Sequence, residues 1–214
     1  VLALGAAATI HNREEFPVLA KRIIRVWRKR WKSLQAADSL GQQASGRAML
    51  VKVFALRRVL RREVFAKDEQ FVGVLLPPSV GGVAVNVALA IDRRVAANLN
   101  YTVSSDVINH CIQDVGIKNV LSTEKFISKT GLEVDCEMVM LDTLRDKVTV
   151  IDKMLAFIQA YLVPAPLLDL LLGLNKIKAD DLLTVIFTSG STVMPKGVLL
   201  SNANISHNVD AIDR

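Results

Sequence analysis

From residue 71 onward the sequence alternates short apolar runs with longer helical stretches, and few folds tolerate that rhythm. The runs at 71–76, 95–99, 118–121, 137–141 and 182–188 read as strands. Between them, 79–91, 104–115, 123–129 and 149–162 carry helical spacing. Strands separated by helices need crossover connections, which predicts an α/β fold with a mainly parallel, doubly wound sheet. The chain has the apolar content for such a core: of 214 residues 51% are hydrophobic, but only 5% are aromatic, so Val, Leu, Ile and Ala must build it. Disorder and low-complexity architectures are excluded on the same grounds.

The first third has another character. Residues 1–67 hold 15 Lys/Arg against 4 Asp/Glu, whereas residues 68–214 hold 12 against 17. The overall charge of +6 therefore describes the beginning of the chain and not the whole. No nucleic-acid recognition motif accompanies the basic region, so nucleic acid is not an expected partner. Residues 12–32 read as a basic amphipathic helix, with Asn12 and Glu15 at capping-box spacing. Leu19, Ile23, Trp27 and Trp31 recur on one side, and Lys21, Arg22, Arg25, Arg28, Lys29, Arg30 and Lys32 cover the rest. Two partners fit such a helix: an anionic membrane surface, or a protein core that takes the apolar stripe. Residues 35–46 are small and polar and predict a loop or linker. A second basic helix is expected over 46–66, with Arg57, Arg58, Arg61 and Arg62 on a solvated face.

The uncharged run 70–91 is long enough to span a bilayer, but Pro77-Pro78 and Gly81-Gly82 break it. Pro164, Pro166 and Asp169 interrupt the apolar stretch 154–174 in the same way. Neither predicts a membrane span, and the apolar opening lacks the basic region of a signal peptide. Cys111 and Cys136 are too few for a disulfide scaffold and lack metal-ligand spacing, which fits a reducing cytoplasm. Both read as buried free thiols, and the adjacent His110 diverges from Cys111 on a helix. His207 reads as a partly exposed helix residue. Asp68-Glu69 and Asp180-Asp181 read as solvated loops before strands.

The chemistry concentrates at the end of the last strand, in Thr188-Ser189-Gly190-Ser191-Thr192-Val193-Met194-Pro195-Lys196-Gly197. Hydroxyls and backbone N–H groups in such a loop surround phosphate oxygens, lysine supplies charge, and glycine permits close approach. An open α/β sheet places ligands at this end of its strands. The loop is not a Walker A sequence, because Pro195 stands where that motif needs glycine and Gly197 follows the lysine.

These residues resemble the phosphate-loop signature of the adenylate-forming (AMP-binding) superfamily, Thr-Ser-Gly-Ser/Thr-Thr-Gly-x-Pro-Lys-Gly. Thr188, Ser189, Gly190, Ser191, Thr192, Pro195, Lys196 and Gly197 match, and Val193 stands where the family has glycine. The segments 73–78 and 98–106 also resemble earlier parts of such enzymes. The resemblance implies the truncated N-terminal domain of a fatty-acyl-CoA synthetase-like or acyl-carrier-protein ligase-like protein, spanning residues 35–214 and incomplete at its C-terminal end. Residues 1–34 would be a basic leader or a linker from an upstream element. It implies ATP phosphate binding by Thr188, Ser189, Gly190, Ser191, Thr192, Lys196 and Gly197, with Mg²⁺ as the metal and the catalytic residues beyond Arg214. A small carboxylate, expected to be a fatty acid, would react with ATP to give acyl-AMP and pyrophosphate. CoA or an acyl carrier protein would then accept the acyl group. The expected location is cytoplasmic, at the inner face of the membrane where residues 12–32 make contact. The rival reading is a non-catalytic membrane- or partner-binding module whose loop Val193 has disabled.

Overall fold

The computed structural model describes residues 18–188 and 194–212. The expected cap at Asn12 and Glu15 lies outside the described residues. Helix α1 (Leu19–Lys29) leads into a short hairpin, β1 (Leu34–Ala37) and β2 (Gln43–Ser45), and then the long helix α2 (Gly46–Glu63). There follow β3 (Phe71–Val74), α3 (Val80–Ile91), β4 (Val95–Asn98), α4 (Ser105–Val115), β5 (Asn119–Ser122) and α5 (Glu124–Thr130). The chain continues through β6 (Glu137–Met140), α6 (Leu141–Asp146), α7 (Val150–Tyr161) and α8 (Ala165–Leu172) to β7 (Leu182–Thr188), β8 (Lys196–Ser201) and α9 (Asn202–Ile212). Strands β3 to β8 form one sheet in the order β6-β5-β3-β4-β7-β8. Every pairing is parallel except β7 with β8, so the expected α/β sheet is present with one antiparallel edge.

Local chemistry sets the element boundaries. The hydroxyls of Ser45, Ser79, Thr123 and Thr149 accept hydrogen bonds from backbone N–H groups in the first turns of α2, α3, α5 and α7. Gly116, Gly131 and Gly173 close α4, α5 and α8 in the left-handed conformation. Pro164 and Pro166, which interrupt an apolar run in the sequence, stand at the start of α8, where a missing N–H costs nothing.

Alternating residues of the sheet feed two helical layers. Val72, Val74, Ala96 and Leu121 meet Val59 and Leu60 of α2 and Val85 and Leu89 of α3. Leu75, Val95, Ala97, Val120 and Val185 meet Ile108, Cys111 and Ile112 of α4 on the other face. Helix α1 is part of the first layer. Ala20, Ile24 and Trp27 are buried in the same cluster as Met49, Leu50, Val53, Phe54, Val87 and Ile91. Of the expected apolar stripe, Leu19, Ile23 and Trp27 pack against the helix's own domain, whereas the helix ends at Lys29 and Trp31 beyond it is exposed. Its basic side is engaged as well. Arg25 holds Asp169 of α8 at 2.6 Å, Arg28 donates to the Gln159 carbonyl, and Arg22 pairs with Asp210 of α9. Among the described residues no helix is long and apolar enough to cross a membrane.

Several expectations are corrected here. Residues 35–46 form the hairpin and not a plain linker. Asp38 closes its turn by accepting hydrogen bonds from Leu40 and Gln42, and ties it to α3 by accepting the first N–H of that helix at Val80. Helices α6 and α8 add to the predicted set. Glu69 is buried and accepts from Asn119 at 2.8 Å, although Asp68 beside it is exposed.

Of the four arginines expected on a solvated face of α2, Arg61 and Arg62 are exposed, but Arg57 is buried, Arg58 is half-buried, and all four lie against distant carboxylates. Arg57 is buried with Asp92, while Arg58 and Arg62 converge on Asp152 of α7 at 3.2 and 2.7 Å. Burial would push the Asp152 carboxyl up, but hydrogen bonds from Arg62, Thr149 and Arg58 outweigh it and hold the group well below the usual carboxylate range. A carboxylate depressed in the folded state contributes stability above its unfolded value, near pH 4, and loses it as the pH falls. Asp152→Asn is therefore expected to lower stability at pH 7 and to flatten its decline between about pH 5 and 2. Urea unfolding at several pH values measures this, and an acid limb as steep as that of the parent would refute the assignment.

Candidate active site

Strand β7 is fixed from both sides. Ala96, Ala97 and Asn98 of β4 pair in parallel with Thr184, Val185 and Ile186, and β8 pairs antiparallel with the full length of β7. The β7–β8 ladder closes with Phe187 opposite Gly197 and Thr188 opposite Lys196. Directly opposed residues share a face of the sheet. Thr188 and Lys196, eight positions apart in sequence, are thus neighbours at the C-terminal edge of the parallel strands. Both are exposed. The alternation along β7 puts Val185 and Phe187 toward α4, and so Thr184, Ile186 and Thr188 toward α3.

Ser189, Gly190, Ser191 and Thr192 of the expected phosphate loop, together with Val193, lie outside the described residues. Gly197 has a packing reason to be glycine. A β-carbon there would sit 3.2 Å from Val185, 3.4 Å from Phe187 and 3.5 Å from Val115 of α4, so its small size lets β8 close on the layer beneath.

Beside this edge lies a polar network that the sequence analysis missed. The amides of Asn86 on α3 and Asn98 on β4 exchange hydrogen bonds at 3.1 and 3.0 Å. Asn98 also donates to Thr184 Oγ1, which donates in turn to the Ala96 carbonyl at 2.6 Å. Asn98 is opposite Ile186, two residues before Thr188. An asparagine closing an otherwise apolar strand is the one signal in the sequence that marks it.

The other candidates stay away from this edge. Cys111 is buried on the inner side of α4 and Cys136 is half-buried, not fully buried as expected. Burial pushes the Cys136 thiol up to about 11, with Asp135 and Glu137 adding to it, and burial and Asp114 raise Cys111 too. Neither is a thiolate nucleophile at neutral pH. His207 is exposed on α9. Among the described residues no cluster of His, Cys, Asp and Glu is arranged to hold a metal ion.

What the edge offers is a cation and a hydroxyl presented side by side next to a loop of hydroxyl and glycine residues. A sequence model of the AMP-binding enzyme family matches residues 25–214. Among solved structures, the N-terminal subdomain of Klebsiella oxytoca NpsA in complex with 3-hydroxybenzoyl-AMSN superposes with a TM-score of 0.68 at 16% identity, over 92% of this chain and 44% of that one. The same subdomain in space group P21 gives 0.65 at 18%, over 87% and 42%. VinN in complex with 3-methylaspartate gives 0.68 at 20%, over 91% and 50%. The chain spans about half the length of these proteins or less, and at such identities they show the fold. The match over residues 25–214 shows that the chain belongs to the AMP-binding enzyme family.

Proposed function

We propose that this chain is the N-terminal part of an ATP-dependent carboxylate-activating enzyme and that the loop after β7 holds the nucleotide phosphates. The pairing of Thr188 with Lys196 at the C-terminal strand edge, in a chain of this family, carries the reading. Thr188, Ser189, Ser191 and Thr192 would donate hydroxyl hydrogen bonds to the β- and γ-phosphates, with Gly190 and Gly197 keeping the backbone close. Lys196 would bring the charge. In the reaction a carboxylate oxygen attacks the α-phosphorus, the bond to the bridging oxygen breaks, and pyrophosphate leaves with the electron pair. Donors placed on the leaving group stabilise charge that grows in the transition state. Mg²⁺ would arrive with the nucleotide and neutralise phosphate charge. A fatty acid as the carboxylate, with CoA or an acyl carrier protein as the thiol acceptor, is the finer reading. It rests on sequence likeness, and membrane contact would then fall to the exposed cations of α1.

The test is carboxylate-dependent exchange of labelled pyrophosphate into ATP by the full-length protein, run with fatty acids, aspartate and hydroxybenzoates side by side. Lys196→Ala is expected to lower exchange about ten- to a hundredfold, the worth of a charge-assisted hydrogen bond, and Lys196→Arg to restore part of it. Val193→Gly is expected to raise it, because a β-branched residue resists the backbone conformations open to glycine. If no carboxylate supports exchange and neither substitution matters, the non-catalytic module is the correct reading.

A further inference from the structure

A second site lies on the α2–α3 face, at a place the topology singles out. Strand β3 leaves the sheet through α3 toward β4, whereas its hydrogen-bonded neighbour β5 leaves through α5 toward β6. Adjacent parallel strands whose connections depart in opposite directions open a crevice at their C-terminal ends, where such sheets bind ligands. The floor of this crevice is fastened: Leu75 donates its N–H to the Leu121 carbonyl at 3.0 Å, and buried Ser122 donates its hydroxyl to the Leu75 carbonyl at 2.7 Å. Above it is an open groove of about 1100 Å³, bounded by α2, α6 and α7, with Gly81 of α3 and Thr123 at the crevice itself. That volume is at the upper end of small-molecule sites.

The lining has two parts. Ala48, Val51, Leu56, Val85, Leu141 and Phe157 make an apolar wall. Arg47, Lys52, Arg145 and Lys153 stand in the same lining against the two carboxylates of Asp142 and Asp146. Asp142 is already engaged, accepting the Glu124 N–H at 3.0 Å. Lys52, Arg145 and Lys153 form no ion pair among the described residues, and Arg47 stacks over Tyr161 and Phe157 at 5.4 and 6.0 Å. The geometry points to a binding site for an amphipathic anion, its hydrocarbon chain along the apolar wall and its carboxylate or phosphate head among these cations. The site is built from other elements than β7 and β8 and needs no ATP, so it stands or falls apart from the phosphate-loop reading.

Binding of the fluorescent fatty acid cis-parinarate to the full-length protein, without nucleotide, tests it. Saturable binding is expected, with the uncharged methyl ester at least about tenfold weaker, because the head group loses its charge-assisted contacts. Ala48→Trp, on an exposed position of α2, should fill the groove and abolish binding without disturbing the core. Lys52→Glu with Arg145→Glu should weaken it at least about tenfold, while Lys196→Ala should leave it within about twofold. Displacement by palmitate assigns a carboxylate head and displacement by lysophosphatidate a phosphate head, and either supports the site. Equal binding of acid and ester, indifference to Ala48→Trp or to the double charge reversal, or displacement by neither lipid overturns it.

Discussion

Asp92→Ala is expected to cost about 3–5 kcal/mol of folding stability, the usual consequence of removing one partner from a buried ion pair. The Asp92 side chain is 5% exposed, and two arginines that are themselves 9% and 10% exposed converge on it. Arg57 Nε lies 2.8 Å from one carboxylate oxygen, without the alignment of a hydrogen bond, and Arg94 Nε donates to the other at 3.0 Å. Arg94 goes on to donate to the carbonyls of Glu69 and Ala66 and stacks over Phe65 at 4.2 Å, so it has other partners. Arg57 has Asp92 and little else. Burial lowers its pKa and Asp92 opposes that shift, so without the carboxylate a desolvated guanidinium would be left uncompensated. Asp92→Asn keeps the volume and an acceptor for Arg94 and should cost less. Urea unfolding at pH 7 measures both, and a loss below about 1 kcal/mol for the alanine variant would mean that the pair is worth no more than a surface contact.

That ion pair also shows why part of the fold was hidden in the sequence. The strands were legible because each apolar run is bounded by a turn or capping residue: Pro77 after β3, Ser104 before α4, Thr123 before α5 and Thr149 before α7. These signals act over a few residues, and so does the reading. Arg57, Arg58, Arg61 and Arg62 look like a solvated face because their partners are far along the chain, Asp92 and Asp152. Nothing local distinguishes an arginine facing water from one facing a distant carboxylate. The same holds for α1, whose period fits a bilayer and a protein core equally until Met49, Phe54 and Ile91 are seen to fill the second role. Helix α6 escaped because it continues β6 directly with no side-chain cap.

At the candidate site, composition marked the loop and its residue types pointed to phosphate, but only the register pairs Thr188 with Lys196. The Asn86–Asn98 pair joins a helix to the strand after it, and the groove gathers residues from Gln42 to Phe157. Neither leaves a motif. Gly197 is instructive in another way. The resemblance assigns it to phosphate, while the contacts around it give the position a packing reason that holds with or without nucleotide.

Gly46→Ala separates helix propensity from packing by the sign of its effect. Gly46 is the first residue of α2 and has an ordinary negative φ, so alanine by itself should stabilise by about 0.4–1 kcal/mol through the unfolded chain. The surroundings forbid it. A β-carbon at this position would fall 2.4 Å from the carbonyl oxygen of Trp27 and 2.9 Å from that of Arg30. Both are backbone atoms at the end of α1 and cannot swing aside as a flexible side chain would. The chain is held there by its own hydrogen bonds, Gly46 N–H to the Ser33 carbonyl at 3.2 Å and Arg47 N–H to the Trp31 carbonyl at 2.9 Å. Relief requires α1 to move off α2, and Ile24 and Trp27 to leave the core with it. A loss of about 3 kcal/mol or more is expected, at the upper end of overpacking costs. Gly131→Ala provides the comparison, since that glycine has a φ of +64° and open space around it. Its cost should be conformational alone, about 1 kcal/mol. Trp fluorescence during urea unfolding reads both variants, with buried Trp27 as the reporter of α1 docking. If Gly46→Ala proves neutral or stabilising, α1 does not rest on α2 as described.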